Sequence, residues 1–474
     1  MNSTTLIYGA GDAAKLFFEN APYVTKNTIL GFIDDDEKKR GTQIYGLPVF
    51  SFAEIFKTGA YKKMKLEAVV LALPSQTLMD KINIISQIPI SLNLYSVPSI
   101  QRLASRESDF SDLIYIDKQF QKSELKSEIP LDYSDTFFDN KTILVTGAGG
   151  SIGSEVCKQL ISKNIKKLVG LDSSEFNLFE LDETLNEHCS VENLINLQLG
   201  SVTDRFKVAE VFSNNEIDYV IHCAAYKHVH LLEKNPSSAL INNVLGTHIV
   251  AAEAERKKVK KFILISTDKA VNPTNTMGAS KRLCEKIIYA YNQKNSFCTF
   301  ALVRFGNVLG SSGSVIPIFE KQIQKGNHVT LTHPDVSRFF MSIREAVTLI
   351  LCAQEISEGG EAFVLNMGRP KKIIGLAELI IKLMGKKPVY KKNSEDPSEI
   401  AIKIIGMRQG EKLHEELSIS KKLQKTRIPD IMMDVHIPEN VQDFLTEICS
   451  ISDKEVGQYI KASEAKQFFE KWQK

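Results

Sequence analysis

Short runs of apolar residues alternate with amphipathic stretches from the start of the chain. Over residues 1–117 the apolar runs are TTLIYGAG, TILGFIDDD and AVVLALPS, and each ends in residues that favour turns. The stretch DAAKLFFENA between the first two has the spacing of apolar residues that is typical of a helix. Because strands that alternate with helices predict a parallel β-sheet, we expect a Rossmann-like domain here.

The same alternation starts again at Lys141 and continues for longer. Its apolar runs are TILVTGA, KLVGLD, DYVIHCAA, KFILIST and TFALVRFG, with helical patterns between them. Five such strands predict a second doubly wound sheet. We therefore predict an α/β protein with two successive Rossmann-like, doubly wound parallel sheets. Its parts are an N-terminal domain (1–117), a polar linker (118–140), a catalytic domain (141–310), and a smaller substrate-binding lobe with C-terminal helices (311–474).

The turn after the first strand of the second sheet has the sequence TGAGGSIG. Glycines here permit a tight turn and let backbone N–H groups approach a pyrophosphate, and the helix that follows adds its positive dipole end. An acidic residue about 20 residues further along accepts the ribose hydroxyls and repels a 2′-phosphate, which favours NAD over NADP. The residues predicted to bind NAD are Gly147, Gly150, Ser151, Ile152, Gly153 and Asp172.

A similar turn, GAGDAA, follows the first strand of the chain, with Gly9, Gly11 and Ala14 at the small-residue positions. Asp34 follows the next strand, so this spacing would also suit a nucleotide. Nothing that resembles catalytic chemistry follows this turn in the sequence. A ligand-binding role and a structural or regulatory role therefore both stay open for the N-terminal domain.

Composition argues against several other classes of protein. Lys and Arg number 59 against 57 Asp and Glu, so the net charge of +2 lacks the basic excess of nucleic-acid-binding proteins. The seven cysteines are dispersed without a C-x-x-C pair, and His333 and His414 have no partners at metal-ligand spacing, so neither disulfides nor a metal site is expected. Apolar runs stay shorter than the ~18 residues of a membrane span, which favours a cytoplasmic location.

Four motifs in the second half of the chain occur together: HCAAYKHV, NVLGT, STDKAVNPTNTMGASK and RFGNVLGSSGSVIP. With the glycine turn, they resemble the extended short-chain dehydrogenase/reductase superfamily, and within it the bacterial nucleotide-sugar 4,6-dehydratases of the CapD-like polysaccharide biosynthesis group. The resemblance covers about residues 135–420. It implies a lyase with NAD that oxidises a UDP-sugar at C4, eliminates water across C5 and C6, and returns the hydride to C6.

The superfamily carries its catalytic tyrosine and lysine in a Tyr-x-x-x-Lys motif, but this chain has Met277 at the tyrosine position and retains Lys281. Methionine cannot accept a proton, and this departure is typical of the long-type dehydratases of the group. Elimination requires an acid and a base on adjacent carbons. The resemblance implies Asp268 as the acid toward the C6 hydroxyl and Lys269 as the base at C5. It also implies that Thr267 bonds the C4 oxygen and that Lys281 bonds the nicotinamide ribose.

The same resemblance suggests further ligands. Ala224 and Ala225 are small enough to let the dinucleotide pass, and the Ser201 hydroxyl would contact adenine. Lys227 and His228 are as compatible with a solvated lysine and a core histidine as with an active-site role. Asn243, on a helix, is also suited to fixing the geometry of the catalytic strand. The predicted substrate-binding residues, with arginines for a diphosphate, are Lys227, His228, Asn243, Arg304, Asn307, Arg338, Arg408 and Glu411.

The expected function is a UDP-N-acetylglucosamine 4,6-dehydratase that retains the C5 configuration and supplies bacterial glycan or protein glycosylation pathways. The alternatives are a nucleotide-sugar 4-epimerase, a C5-inverting dehydratase, and a non-catalytic NAD-sensing or scaffolding protein. The resemblance also favours a homo-oligomer. Because long-type members commonly begin with transmembrane helices, it implies a place on the cytoplasmic face of the inner membrane if such a region precedes this sequence.

Overall fold

The computed structural model describes residues 3–20, 28–74, 76–97, 114–116, 136–187, 194–294, 297–311, 313–326, 328–390, 396, 398–420, 423–453 and 460–473. They divide into two compact units. The first holds the described residues of 1–128, 313–337 and 371–407, and the second holds those of 129–312, 338–370 and 408–474. The domain boundaries drawn from the sequence stay a prediction, and residues 118–135 of the predicted linker lie outside the described residues.

The first part of the chain forms strands and helices in alternation. Its elements are β1 (Thr5–Tyr8), α1 (Asp12–Asn20), β2 (Ile29–Ile33), β3 (Gln43–Ile44), β4 (Leu47–Phe50), α2 (Ala60–Lys63), β5 (Ala68–Leu71), α3 (Leu78–Gln87), β6 (Asn93–Ser96) and β7 (Ile114–Ile116). Within the described residues they build a seven-stranded sheet of order β3-β4-β2-β1-β5-β6-β7. Its inner pairs are parallel, and the pairs at its two edges are antiparallel.

The remaining elements follow in chain order. They are β8 (Thr142–Thr146), α4 (Ser151–Ile161), β9 (Lys167–Asp172), α5 (Glu175–Asn186), β10 (Ile195–Leu199), α6 (Arg205–Asn214), β11 (Tyr219–His222), α7 (Val229–Leu232), α8 (Pro236–Ala239), α9 (Gly246–Arg256), β12 (Lys261–Ile265), α10 (Thr276–Gln293), β13 (Thr299–Arg304), β14 (Asn307–Leu309), α11 (Val315–Gln324), β15 (Val329–Leu331), β16 (Ser337–Arg338), β17 (Phe340–Ser342), α12 (Ile343–Ile356), β18 (Ala362–Leu365), β19 (Lys371–Lys372), α13 (Ile373–Leu383), β20 (Lys387–Val389), β21 (Glu399–Ile404), β22 (Gln424–Lys425), β23 (Ile431–Asp434), α14 (Val441–Asp453) and α15 (Ala462–Trp472).

The second unit is built around a sheet of order β10-β9-β8-β11-β12-β13-β18-β23-β22 in the described part of the chain. The first six strands in this order have the arrangement 3-2-1-4-5-6 of a dinucleotide-binding fold, and all of their pairs are parallel. Only the pairs that involve β23 run antiparallel in this sheet. The predicted α/β class, with two successive Rossmann-like parallel sheets, is confirmed. The first unit also holds a small sheet of order β15-β21-β20.

Successive residues of a strand point to opposite faces of the sheet. Both faces of the second sheet carry apolar residues, and helices cover both. Leu144 and Phe262 belong to one buried cluster, which includes residues of α9, α10, α14 and α15. Their neighbours Val145 and Ile263 belong to a second cluster with residues of α4 and α12. Among the helices in the described ranges, none is both long enough and apolar enough to cross a membrane.

A fully buried ion-pair network joins three elements of the second unit. The Arg304 guanidinium, at the end of β13, donates to both carboxylate oxygens of Glu285 on α10 at 2.7 and 2.8 Å and to Asp434 on β23 at 2.7 Å. Ser266, just after β12, also donates to Glu285, at 2.6 Å. Burial opposes ionisation of Glu285, but the charge of Arg304 outweighs it and lowers the pKa of that carboxyl. The network therefore fixes the ends of β12 and β13 relative to α10.

We expect Arg304→Met to lower the free energy of unfolding by about 3–5 kcal/mol, because Asp434 would lose its buried cation and Glu285 would keep only Arg282, at 3.3 Å. Urea denaturation followed by circular dichroism measures this loss. Arg256→Met is the matched control, since Arg256 pairs with Glu253 on the surface and is 54% exposed, so its removal should leave stability nearly unchanged. Equal unfolding midpoints for the two variants would contradict the role given to the network.

Candidate active site

The predicted site residues of the second sheet follow the carboxyl ends of its central strands. In a parallel sheet, the carboxyl ends of the strands meet at the same side, and ligands bind in the crevice where the strand order reverses. In this sheet the carboxyl ends of the strands lead into the glycine turn after β8, the alanine loop after β11 and the Thr-Asp-Lys turn after β12. The predicted cofactor and catalytic residues thus come from neighbouring strand ends.

The glycine turn depends on two glycines that no other residue could replace without movement. Gly147 has a φ of +64°, and a Cβ on it would lie 2.8 Å from the backbone nitrogen of Ala224. A Cβ on Gly153 would collide with the carbonyl oxygen of Gly147. The turn therefore brings the start of α4 against the end of β8, and Ala224 lies directly beside it.

Asp172 closes the turn from the neighbouring strand. Its carboxylate accepts the Gly149 N–H at 2.9 Å and the Ser174 N–H at 2.9 Å. Helix α4 begins after Gly150, which offers no side-chain acceptor to the first helical N–H groups. These residues fit NAD, because amides and a helix start can receive the pyrophosphate and a carboxylate at the end of β9 repels a 2′-phosphate.

Three further residues predicted to bind the cofactor follow β10 and β11. Ala224 and Ala225 are half-buried in the loop after β11. The Ser201 hydroxyl lies 2.8 Å from the Thr203 hydroxyl and accepts the Thr203 N–H at 3.2 Å. Its contact with adenine stays a prediction.

The Thr-Asp-Lys turn brings an acid and a base side by side. Asp268 is completely buried, and one of its oxygens, Oδ1, accepts the Thr267 hydroxyl at 2.8 Å and the Lys269 ammonium at 2.9 Å. Lys269 also donates to the side-chain oxygen of Asn307 at 3.1 Å. The side chain of Lys269 is 19% exposed, so the base faces the crevice while the acid lies behind it.

Helix α10 begins directly against this turn. Asn275 caps it by accepting the Gly278 N–H at 2.8 Å, and a Cβ on Gly278 would collide with the carbonyl oxygen of Lys269. Met277 is 4% exposed and packs in the apolar cluster beneath the helix. Its side chain is part of the core, and its place among the predicted catalytic residues stays a prediction. Sequence analysis missed Gly278, although the M-G-A-S-K string contained it.

Lys281 lies one turn further along α10, is 6% exposed, and has no hydrogen-bond partner among the described residues. Its charge acts on His222 at the end of β11. Burial first, and then Lys281, lower the pKa of His222 to about 3, so the ring is neutral between the Thr146 and Thr247 hydroxyls. Lys281 is therefore held near the cofactor strand as a cation available to a ligand.

Asn243 is fully buried between the loop after β11 and α10. Its amide accepts the Tyr226 N–H at 2.7 Å, donates to the Tyr226 carbonyl at 3.1 Å, and donates to the Ser280 hydroxyl at 2.9 Å. It thereby ties the loop after β11 to α10 beside Lys281. That Asn243 binds substrate stays a prediction, and its contacts are those expected of a residue that fixes local geometry.

The predicted role of Arg304 toward substrate stays a prediction. Its hydrogen bonds within the described residues are to Glu285 and Asp434, and its side chain has no exposed surface. It cannot reach a diphosphate without breaking the buried network. In the sequence, an arginine at the end of a strand and within a motif is typical of a residue that binds substrate. Its buried carboxylate partners are known only once the fold is known.

A segment near residue 411 completes the site. Arg338 donates to the Leu413 carbonyl at 3.3 Å and to Glu411 at 3.4 Å, and Glu411 also accepts the Arg408 N–H at 3.1 Å. Arg408 itself is exposed. The predicted residues Arg338, Arg408 and Glu411 are thus brought together, with Arg408 presenting its charge to solvent. Lys227 is exposed and His228 half-buried, so both stay predictions.

One carboxylate near this segment was not predicted. The side chain of Glu415 is 4% exposed and its Oε1 lies 3.9 Å from the Arg338 Nε. In the string EKLHEEL, it cannot be distinguished from its exposed neighbour Glu416. Burial alone separates the two, and burial follows from the fold.

The N-terminal turn has the same internal hydrogen bonds as the cofactor turn. Asp34 accepts the Ala10 N–H at 2.8 Å and the Asp36 N–H at 3.0 Å, as Asp172 accepts two N–H groups in the second sheet. Gly9 has a φ of +108°. Asp34 also accepts the Lys39 ammonium at 3.1 Å. A ligand for this turn remains an open alternative.

We expect Asp172→Asn to weaken NAD binding by about tenfold to a hundredfold, because a hydrogen bond to a charged group contributes roughly 1.5–3 kcal/mol. Isothermal titration with NAD measures this change. Asp34→Asn is the matched control, since it alters the same hydrogen bonds in the N-terminal turn and should leave the affinity unchanged. Tight NAD binding by Asp172→Asn, or loss of binding in Asp34→Asn, would contradict the assignment of the dinucleotide to the turn after β8.

Comparison with known proteins agrees with this fold. Residues 143–436 match the family model described as polysaccharide biosynthesis protein. The chain is similar to the capsular polysaccharide biosynthesis protein CapD of Staphylococcus aureus, with 38% identity over 418 residues, which are 87% of this chain and 68% of that protein. It is also similar to a UDP-glucose 4-epimerase of Rickettsia canadensis, with 35% identity over 61% of this chain and 80% of that protein.

Among solved structures, the X-ray structure of Pen from Bacillus thuringiensis is 34% identical, with a TM-score of 0.56, over 63% of this chain and 90% of that chain. The match to the family model spans both the cofactor turn and the Thr-Asp-Lys turn. The chain belongs to the polysaccharide biosynthesis protein family.

Proposed function

We propose that this protein is an NAD-dependent UDP-N-acetylglucosamine 4,6-dehydratase that retains the C5 configuration and supplies a 4-keto-6-deoxy sugar for bacterial glycan or protein glycosylation. It is an enzyme that modifies a nucleotide sugar in polysaccharide biosynthesis. The observation that carries the proposal is the buried Asp268 beside Lys269 on one turn, at a site where Met277 replaces the usual tyrosine.

Elimination requires a proton to leave C5 while another reaches the C6 hydroxyl. Lys269, which faces the crevice, is the base at C5, and Asp268 is the acid toward the C6 oxygen. The Lys269 ammonium donates to the Asp268 carboxylate at 2.9 Å, so the two groups act side by side on neighbouring atoms of the sugar. Bound NAD would take up the C4 hydride and give it back at C6.

The C4 oxygen is the third atom that the protein must hold. The Thr267 hydroxyl donates to Asp268 in the absence of substrate and stands next to both catalytic groups. When it bonds the C4 oxygen, it links that oxygen to the Asp268 carboxylate. The proton that leaves the C4 hydroxyl can therefore reach Asp268 through Thr267.

The nucleotide half of the substrate would bind beyond the Lys269 ammonium. Asn307 already accepts from Lys269, and the segment from Arg408 to Glu411 is anchored by Arg338. An exposed arginine on an anchored turn suits a diphosphate, because its planar fork forms two parallel hydrogen bonds. The similarity to a UDP-glucose 4-epimerase supports a UDP moiety.

A 4-epimerase is the second candidate, and the same similarity favours it. Epimerases share the oxidation at C4 but eliminate no water. Epimerisation removes no C5 proton and no C6 hydroxyl, so it does not require both an acid and a base on adjacent residues of one turn. We therefore prefer dehydration.

Incubation with UDP-N-acetylglucosamine in deuterated water, followed by proton NMR, tests the reaction. We expect a C6 methyl signal, a 4-keto product and deuterium at C5 with the original configuration. A C4 epimer without a C6 methyl group would replace the proposal by the epimerase, and inverted C5 would change only the stereochemical part. Unchanged substrate after long incubation would leave the non-catalytic alternative.

We expect Lys269→Met to lower the rate of dehydration by roughly a hundredfold to ten-thousandfold, which is the usual contribution of a positioned acid–base group. Initial rates of C6 methyl formation measure this loss. Lys260→Met is the control, because Lys260 lies just before β12, is 59% exposed and pairs with Asp218. A Lys269→Met rate close to that of the control would remove Lys269 from the mechanism.

A further inference from the structure

The backbone shortly after the Thr-Asp-Lys turn has an uncommon conformation. Asn272 has a φ of +45°, in the left-handed region, and Pro273 follows it. Residues other than glycine rarely occupy this region, and a following proline restricts the preceding residue further toward extended conformations. Such a conformation persists where the surrounding structure holds it, and it is frequent at active sites. Neighbouring groups must therefore stabilise the chain at Asn272.

The stabilising groups come from a distant part of the chain, residues 410–416. The Lys412 ammonium donates to the Val271 carbonyl at 2.7 Å. The side-chain amide of Asn272 donates to the Glu416 carboxylate at 2.8 Å. Hydrogen bonds that involve a charged group are stronger than those between neutral groups. Both residues that flank this peptide bond are thus held by charged side chains of the 410–416 segment.

A third contact joins the same segment to the start of α10. The Gly410 carbonyl accepts the Thr274 hydroxyl at 2.9 Å and the side-chain amide of Asn275 at 3.0 Å. A Cβ on Gly410 would lie 2.8 Å from the Cβ of Asn275, so the two chains approach as closely as a glycine allows. Asn275 also caps α10. The 410–416 segment therefore holds both ends of the connection between the catalytic turn and α10.

Val271 links these contacts to the proposed catalytic groups. Its N–H donates to the Asp268 carbonyl at 3.1 Å, and the Ala270 N–H donates to the Thr267 carbonyl at 3.1 Å. These two bonds form the single 3₁₀ turn that carries the proposed acid and base. A displacement of Val271 would therefore move the turn and both of its functional side chains. The bond from Lys412 opposes this displacement.

We propose that Lys412 is a positioning residue, which keeps the Thr-Asp-Lys turn in its catalytic geometry by holding the Val271 carbonyl. The inference rests on the proposed dehydratase function. In this role Lys412 contacts neither the sugar nor NAD, and it acts through the backbone of the turn. Its effect on the rate comes from geometry, since a misplacement of about 1 Å can lower a rate by about a hundredfold.

A lysine four residues after Arg408 has a second conceivable use, as a ligand of the substrate diphosphate. The 2.7 Å bond to Val271 favours the positioning role, and the two roles differ in their kinetics. Loss of a diphosphate ligand raises KM and weakens the binding of UDP. Loss of a positioning residue lowers kcat and leaves binding unchanged.

Lys412→Met keeps an apolar stem and removes the donor. We expect its kcat for C6 methyl formation from UDP-N-acetylglucosamine to fall by about tenfold to a hundredfold, with KM nearly unchanged. Isothermal titration should give wild-type affinities for UDP and for NAD. Lys412→Arg keeps a donor and should recover most of the rate. Lys166→Met is the matched control, since Lys166 is 57% exposed and pairs with Glu216, and it should leave kcat unchanged.

Two kinetic outcomes would overturn the inference. A raised KM together with weaker binding of UDP would make Lys412 a ligand of the diphosphate. A kcat of Lys412→Met equal to that of Lys166→Met would show that the bond to Val271 does not matter for the reaction. Absence of dehydration by the wild-type protein would instead refute the proposed function.

Hydrogen exchange followed by mass spectrometry tests the positioning role without substrate. The amides of Ala270 and Val271 are bonded within the turn, so peptides that contain them should exchange faster in Lys412→Met than in the wild type or in Lys412→Arg. The urea unfolding midpoint should stay the same. Equal exchange in Lys412→Met and the wild type would overturn the inference. Faster exchange throughout the chain would overturn it as well, because it would report a general loss of stability.

Discussion

The active site of this protein depends on a buried arginine that never meets a substrate. Arg304 neutralises Glu285 and Asp434 in the interior of the second unit, and the Ser266 hydroxyl joins the same group. Ionised side chains removed from water must keep their partners, because the loss of one leaves an uncompensated buried charge. The strand that ends in Thr-Asp-Lys and the helix that carries Lys281 are therefore held in one relative position.

Around this rigid frame, the buried carboxylates of the candidate site are less completely satisfied. Asp268 and Glu415 each keep one oxygen without a partner within the described residues, whereas Glu285, equally buried, has all of its oxygens bonded. The contrast separates two kinds of buried polar group: those whose hydrogen bonding is complete, and those with an oxygen that has no partner within the described residues. Neutral His222, held between two threonine hydroxyls, belongs to the first kind despite its place near the cofactor strand.

Sequence patterns predicted the architecture well because its physical causes are local. A strand, a glycine turn and a helix follow one another within a few residues, and the acid that closes the turn lies at the end of the next strand. Long-range partners are invisible to such patterns. The partners of Arg304 lie 19 and 130 residues away in sequence, so its motif suggested a ligand. The burial of Met277, Asn243 and Glu415 is likewise set by the fold and cannot be seen in their motifs.

The contact between Gly278 and the Lys269 carbonyl limits how this scaffold can change its chemistry. Any side chain at Gly278 would push the start of α10 away from the turn that carries the acid and the base. The backbone of the turn therefore cannot shift by small steps. A new reaction on this fold must come from substitutions of side chains whose backbone positions stay the same. Redesign of the enzyme is accordingly a problem of residue choice at 268 and 269, with the loop geometry left untouched.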